Sequence, residues 1–444
     1  MFFSSAYKLS RIKFNTKLFR ILHTNRKSNY KPKIEDLYSL PAKFLRASDS
    51  FNYDASTHQR IDVPIDNETG KPKVGMSQRS HFSIEKVTIQ DENFNVQWSD
   101  GKTSVFSSTF VDEQIKRRNG QTTNDRILWE NMTEERVRNS SELSLSFDEL
   151  ITDDGMKVAM SSIYKFGILL VTDTPINDES AISALGATMG GGSKKMVSNS
   201  VLVNYKEGGD EVLLPHGTDG PLRTLYGTVW NTTSSGQADG SSVADSAYGC
   251  DGLPLHTDMT YCRDPPGLQI FTMKSPALEG GESVFADGFA LASHLRDSSP
   301  EAFYTLSNTS RRYRCIDNET GWQLEASGPI IQVRHGQIVG IRHNDLDRLP
   351  DLPPKNCLKS DEVDEFYDSL EKAHILWDSL IAQDRFRLVM KLKPGDTMVV
   401  ANQRCMHGRH SFKSTADNPR SVGGCYIGQD ELNSRMRMEG FQVY

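Results

Sequence analysis

The sequence predicts a mixed β and α chain in two folded parts: a small β-rich N-terminal domain over 31–140, and a larger β-rich domain with flanking helices over 141–444. Three observations support this. Apolar runs of strand length, bounded by Pro and Gly turn signals, recur through the second part. A strand, turn, strand pattern stands in the first. Residues 361–383 repeat their apolar side chains at helical spacing. At 444 residues, 37% hydrophobic and 25% charged, the chain is long enough for two domains and a sizeable core.

Residues 1–30 differ from all that follows. Lys8, Arg11, Lys13, Lys17, Arg20, Arg26 and Lys27 are basic, serines are scattered among them, and the first acidic residue is Glu35. This is the composition of a mitochondrial presequence, and it predicts a matrix protein. Removing these seven basic residues changes the formal charge from −7 to −14. So acidic a chain is poorly suited to phosphate backbones, and no nucleic-acid partner is expected. No segment approaches the roughly 18 uninterrupted apolar residues of a membrane span, so no membrane partner is expected either.

In the 31–140 part, runs 94–98 and 103–106 flank Ser99-Asp100-Gly101-Lys102 and predict a hairpin, with Asp-Gly supplying positive φ angles. The larger part opens with Ser146-Phe147-Asp148-Glu149, a helix-start capping box, followed by an amphipathic run and an apolar strand at 167–171. Gly190-Gly191-Gly192-Ser193-Lys194 lacks the residue order of a phosphate-binding loop and predicts an ordinary loop. Pro265-Pro266-Gly267, the alternating run 268–273 and Gly280-Gly281-Glu282-Ser283 read as turn, strand, turn and strand. Residues 361–383 predict a long amphipathic helix that buries Val363, Phe366, Tyr367, Leu370, Trp377, Leu380 and Ile381. Lys393-Pro394-Gly395-Asp396 is a turn before an apolar strand at 398–401, and 422–427 is a further apolar segment. The six cysteines all lie from Cys250 onward without C-x-x-C pairing, which predicts reduced thiols rather than a disulfide framework.

The chemistry concentrates at His256-Thr257-Asp258, answered about 150 residues later by His407. Two imidazoles and a carboxylate cover one face of an octahedral Fe(II) and leave positions for a chelating cosubstrate and for oxygen. If 255–259 form a strand, the period of two sends His256 and Asp258 to the same side. The same spacing recurs at His343-Asn344-Asp345, but without the strand and turn context, and it reads as an ordinary surface or core feature. Thirteen residues beyond His407 stands Arg420, whose planar fork suits the distal group of a dicarboxylate.

Five segments carry a resemblance: Tyr226-Gly227-Thr228-Val229-Trp230, the run from Asp245 through Tyr248 to Asp258, Asp287-Gly288-Phe289, His407-Gly408-Arg409 and Gly424-Cys425-Tyr426. In order and spacing they resemble the iron(II)- and 2-oxoglutarate-dependent dioxygenases of carnitine synthesis, the trimethyllysine and γ-butyrobetaine hydroxylases. The resemblance implies a double-stranded β-helix, or jelly-roll, core. It implies Fe(II) on His256, Asp258 and His407, and 2-oxoglutarate with its far carboxylate on Arg420, assisted by Ser283. Ascorbate is the implied reductant, and a homodimer the implied assembly. Tyr226, Trp230, Tyr248 and Tyr426 fall at the positions of an aromatic cage for a quaternary ammonium, each face contributing about 0.5–2 kcal/mol. Asn344 matches a position at the substrate's polar end, where its amide could donate to a carboxylate. Asp245 can pair with an α-ammonium but would repel a bare carboxylate, which favours trimethyllysine, hydroxylated at C3, over γ-butyrobetaine. A metal-binding jelly roll without catalysis is the rival from another class, and Arg420 argues against it, because a metal store needs no cosubstrate anchor. Relatives carry a zinc site of three cysteines and a histidine in the N-terminal domain. Here no cysteine precedes Cys250 and the region offers only His58, so no structural zinc is expected.

Overall fold

The computed structural model describes residues 31–60, 83–118, 126–150, 152–177, 179–190, 221–234, 249–318, 321–355, 359–441 and 443. The presequence reading of 1–30 falls outside them. The chain divides into two compact units, Met1–Thr123 and Asn124–Tyr444. The second unit thus begins before the expected boundary at 141. Trp129, Met132 and Val137 are buried in its core, and the Trp129 indole donates to the Phe166 carbonyl at 2.8 Å.

The first unit holds helices α1 (Ile34–Tyr38), α2 (Ala42–Ala47) and α3 (Ser108–Arg118) and an antiparallel sheet of β1 (Ile84–Gln90), β2 (Asn93–Trp98) and β3 (Thr103–Ser107). Alternation on β2 buries Phe94, Val96 and Trp98 against Leu37, Leu45 and Phe106. In the β2–β3 turn only Gly101 takes a positive φ, 76°, whereas both Asp and Gly were expected to. Asp100 instead accepts from the Lys102 amide at 3.2 Å and pairs with Arg46 at 2.7 Å.

In chain order the second unit contains α4 (Glu134–Asn139), β4 (Ser144–Ser146), α5 (Phe147–Leu150), α6 (Asp153–Phe166), β5 (Ile168–Thr172), α7 (Glu179–Met189), β6 (Trp230–Ser234), β7 (Leu253–His256), β8 (Leu268–Ser275), β9 (Glu279–Gly280) and β10 (Ser283–Asp287). Then come α8 (Gly288–Ser298), α9 (Pro300–Asn308), the hairpins β11 (Arg311–Asp317)–β12 (Trp322–Gly328) and β13 (Ile331–Arg334)–β14 (Gln337–Ile341), and α10 (Ser360–Ile381). β15 (Leu388–Met390), β16 (Thr397–Ala401), β17 (Cys405–Arg409), β18 (Phe412–Lys413), β19 (Arg420–Ile427) and α11 (Gln429–Met438) complete it.

Two sheets form the centre. One has the order β15-β10-β17-β7, the other β4-β5-β16-β8-β19-β6. Phe271, Met273, Met398, Val400 and Val422 of the larger sheet meet Phe285, Leu388, Met390 and Cys405 of the smaller in one buried cluster. The rings of Phe271 and Phe285 stack at 6.3 Å. The sheets therefore face each other, and the period of two decides what lies between them. Gln269, Phe271 and Met273 on β8, Ser283 and Phe285 on β10, Cys405, His407 and Arg409 on β17, and Arg420, Val422 and Tyr426 on β19 share the inward parity, the β19 register shift at Ser421/Val422 notwithstanding.

The outer face of the larger sheet is covered by α6, α7 and α11 through Met156, Met160, Ile163, Ile182, Leu185, Leu432 and Met436. Ser146 and Glu149 cap each other reciprocally, at 2.8 and 3.2 Å, but the helix they start is only α5. Helix α6 has its own cap, Thr152, and ends at Gly167, φ 77°, where a Cβ would come within 2.6 Å of Cys405 Sγ. Residues between β10 and β15 cover the smaller sheet, Trp377 and Leu370 of α10 packing with Val284, Ala286 and Met406. Tyr367 departs from the expected buried face of α10. It is 43% exposed, and its hydroxyl donates to the Asp351 carbonyl at 3.0 Å.

Arg404 ties these layers. It makes a two-point contact with Asp287, 3.1 and 2.8 Å, and donates to the carbonyls of Tyr164, Lys165 and Ile127 at 3.1, 2.8 and 2.7 Å. Both charged groups are buried. Arg404→Ala strands a buried carboxylate and three carbonyls, and should lower unfolding free energy by about 3–5 kcal/mol, read from urea denaturation.

Candidate active site

His256 and His407 sit opposite each other on neighbouring strands β7 and β17, with ring centroids 4.5 Å apart. The expected strand over 255–259 does not form: β7 stops at His256, and Met259 has φ 56°. Asp258 is placed instead by a clamped turn. Asn402 Oδ1 accepts the Asp258 amide at 2.7 Å, and its Nδ2 donates to the carbonyls of Asp258 and Pro266, both at 3.1 Å. The Thr257 amide donates to the His343 carbonyl at 2.7 Å, and the His343 amide donates to the Thr257 hydroxyl at 3.0 Å.

The outcome is convergence. Asp258 Oδ1 lies 3.3 Å from His256 Nε2 and 3.4 Å from His407 Nε2. His256 Nδ1 is 2.7 Å from the Pro254 carbonyl. A carbonyl only accepts, so Nδ1 carries a hydrogen and Nε2 is the nitrogen that faces Asp258. Burial alone would raise the Asp258 pKa, but His407 and His256 together hold it far below the usual carboxylate range. The two imidazoles divide in response. Burial pulls both down; Asp258 reverses this for His256, which ends raised, and only partly offsets it for His407. An ionised carboxylate with two imidazole nitrogens, all within 4.8 Å, is a donor set fitted to a divalent transition metal.

A second cluster, His343, Asp345 and Asp378, is equally compact. There Asp345 Oδ1 accepts from Arg348 at 2.8 Å and Oδ2 from His374 Nε2 at 3.1 Å. His374 Nδ1 faces Arg311 at 2.8 Å, which fixes the hydrogen on Nε2. Burial pushes His343 down to about 4. Asp345 and Asp378 are thus engaged by Arg348 and His374, while the His343 ring packs against those of His374 and Trp377.

Arg420 opens β19, buried between the sheets, with its Nε lacking a partner and no acidic residue paired with it among the described residues. Burial first, and then the charge of Arg409, bring its pKa down to about 9. The two guanidiniums flank the Phe412 ring at 5.3 and 4.7 Å. Arg409 is already engaged with the carbonyls of Gly249 and Asp251 at 2.8 and 2.9 Å. Gly281 lies beside Arg420, and its φ of 70° is a conformation that side-chain-bearing residues rarely adopt. Ser283 is buried and directly opposite Arg409 in the β10–β17 ladder. A buried, incompletely satisfied guanidinium is a place for an anion, and a carboxylate fits it.

The aromatic residues gather beside the triad. Trp230 and Tyr426 have ring centroids 6.0 Å apart, and Tyr226 and Tyr261 hydroxyls are 3.3 Å apart, in a cluster that also holds Tyr313 and Met259. Tyr426 is more than a wall: its hydroxyl donates to Asp258 Oδ2 at 2.9 Å, and Gln269 Nε2 donates to the same oxygen. Asn344 spends part of its amide locally, giving Nδ2–H to Asp347 at 2.9 Å and accepting the Leu346 amide at 3.0 Å. Asp347 also accepts from Thr260 at 2.9 Å. Asp245 and Tyr248 lie outside the described residues. Sequence reasoning missed Asn402, Gln269, Tyr313 and Asp347; of these, only Gln269 carried a signal, as an inward position on the alternating run 268–273.

A family model described as the taurine catabolism dioxygenase TauD, TfdA family matches residues 133–426. The mitochondrial trimethyllysine dioxygenase of Gallus gallus is 25% identical over 398 residues, covering 88% of this chain and 80% of the relative. That of Homo sapiens is 24% identical over 397 residues, with the same coverage. The gamma-butyrobetaine dioxygenase of Homo sapiens is 28% identical over 219 residues, covering 48% of this chain and 53% of the relative. Among solved structures, AAD-2 in complex with Mn(II) and N-oxalylglycine aligns with a TM-score of 0.41 at 13% identity, covering 65% of this chain and 95% of that one. With the family model spanning the sheets, the triad and Arg420, this chain belongs to the TauD/TfdA dioxygenase family.

Proposed function

We propose that this chain hydroxylates N6,N6,N6-trimethyl-L-lysine at C3 using oxygen and 2-oxoglutarate, a step of carnitine biosynthesis. The observation that carries the reading is the convergence of His256, Asp258 and His407 in the same sheet interior as Arg420, a buried guanidinium with no acidic partner among the described residues. Relatives named for trimethyllysine along most of their length support the substrate.

His256, Asp258 and His407 would hold Fe(II), and Arg420, with Ser283, the far carboxylate of 2-oxoglutarate. When bound, iron and 2-oxoglutarate supply the oxidation: decarboxylation to succinate and carbon dioxide accompanies transfer of one oxygen atom into a substrate C–H bond. The protein contributes orientation. Tyr226, Trp230, Tyr248 and Tyr426 would face the trimethylammonium, which cannot donate a hydrogen bond and is held best by aromatic faces. Asp245 would take the α-ammonium, and the remaining Asn344 amide hydrogen the α-carboxylate. Anchoring both ends excludes neighbouring C–H bonds from the reacting position. The crossing of the chain between sheets at β7–β8, β8–β10, β15–β16, β16–β17 and β17–β19 supports a double-stranded β-helix. Ascorbate as reductant, a matrix location after loss of 1–30, and a homodimer belong to the same proposal.

Protein loaded with iron and given 2-oxoglutarate and trimethyllysine should release succinate and add one oxygen to the substrate by mass. Faster turnover of γ-butyrobetaine would move the assignment to that substrate, and no oxygen uptake with any quaternary amine would leave only metal binding. His407→Ala should abolish turnover. Arg420→Ala should raise the 2-oxoglutarate KM roughly 10- to 100-fold while sparing metal uptake. Because the Arg420 pKa is lowered to about 9, it loses its charge as pH rises through that value, so 2-oxoglutarate affinity should fall above it. Titrations at rising pH, with Arg420→Ala as the pH-insensitive control, check this.

A further inference from the structure

We propose that Gln269 and Tyr426 are a joint positioning pair for the Asp258 carboxylate, fixing Oδ2 so that Oδ1 alone is presented to the histidine nitrogens. The inference rests on the metal reading of the triad and extends it to two residues of the facing sheet.

The geometry is cross-strand. Gln269 on β8 and Tyr426 on β19 stand directly opposite each other in the ladder, and both point inward, which makes them nearest neighbours on one face. The Tyr426 hydroxyl reaches Asp258 Oδ2 at 2.9 Å, and Gln269 Nε2 donates to the same atom. Oδ1 is the oxygen that lies 3.3 and 3.4 Å from the two imidazole nitrogens. The two carboxylate oxygens thus have separate tasks.

The direction of the Gln269 amide is forced. Reversing it would set a carbonyl oxygen against a carboxylate oxygen, which repel. In the observed direction Oε1 is buried without a hydrogen-bond partner among the described residues. The side chain thus leaves an acceptor unsatisfied while donating to Asp258, an arrangement that packing alone does not explain. Tyr426 links two sites, since its ring lies beside Trp230 in the aromatic cluster while its hydroxyl holds the carboxylate. Ring and hydroxyl are separable: Tyr426→Phe keeps one and removes the other.

The test uses the full chain, stripped of metal and titrated with Mn(II), with unbound ion counted by electron paramagnetic resonance. Gln269→Leu and Tyr426→Phe should each weaken Mn(II) binding by roughly 10- to 100-fold. The bound Mn(II) line shape should change in both, a signature that lost stability does not produce. Parental Mn(II) affinity and line shape in folded Tyr426→Phe and Gln269→Leu proteins overturn the proposal; if the leucine variant does not fold, Tyr426→Phe alone decides. His407→Ala runs in parallel: if it too binds Mn(II) like the parent, the failure lies with the triad reading and not with the pair.

Discussion

One buried amide holds the candidate site together. Asn402 leaves the larger sheet at the end of β16, is fully buried, and reaches back to the turn after β7 with three hydrogen bonds to main-chain groups. Its own amide donates to the Gly267 carbonyl at 3.0 Å, so the two segments are tied in both directions. Each such bond is worth only about 1 kcal/mol net, yet geometry matters more than energy here. Sheet pairing fixes His256 and His407 but ends before Asp258. Asn is suited to the position because one side chain must both accept from an N–H and donate to carbonyls, which a carboxylate cannot do.

Charges buried in the second unit fall into two kinds. Arg404 and Asp287 satisfy each other and three carbonyls, and Arg311 and Asp351 pair at 2.6 Å. These are closed structural pairs. Arg420 is of the other kind, buried beside a like charge with its pKa drawn down. A protein tolerates a costly arrangement of this sort where a ligand completes it. The same parity that sends Phe271 and Val422 into an apolar core sends Gln269 and Arg420, two residues earlier on the same strands, into the polar region.

Local signals were read well from the sequence. The reciprocal cap of Ser146 and Glu149, the strands at 268–273, 398–401 and 422–427, and the long helix at 361–383 all depend on short-range chemistry, and all have counterparts in the structure. The spacing of His256, Asp258 and His407 pointed to one locus, and the folded chain brings them together, though by a clamp and not by strand alternation. Sequence reasoning missed the hydrogen-bond partners of that locus that lie far along the chain. Asn402 is 144 residues from Asp258, and Gln269 matters only because β8 and β19 pair. The boundary at 141 failed similarly, since the burial of Trp129 is set by Phe166 and the strands beyond it. Tyr367 has the right helical spacing, but a phenol can leave the core when a carbonyl lies within reach.

Asn344 and Asp347 belong to the segment between β10 and β15, whereas the triad and Arg420 belong to the sheets or the turn that Asn402 clamps. The segment meets the turn after β7 through the Thr257 and His343 main chains, the Thr257 hydroxyl, Asp347, which accepts from Thr260, and Arg342, whose guanidinium holds the carbonyls of Thr260, Cys262 and Arg263. Those main-chain contacts do not depend on which side chain occupies 344 or 345. A change of side chain at 344 or 345 therefore leaves the backbone that carries His256 and Asp258 in place, so this segment and the paired strands can vary separately.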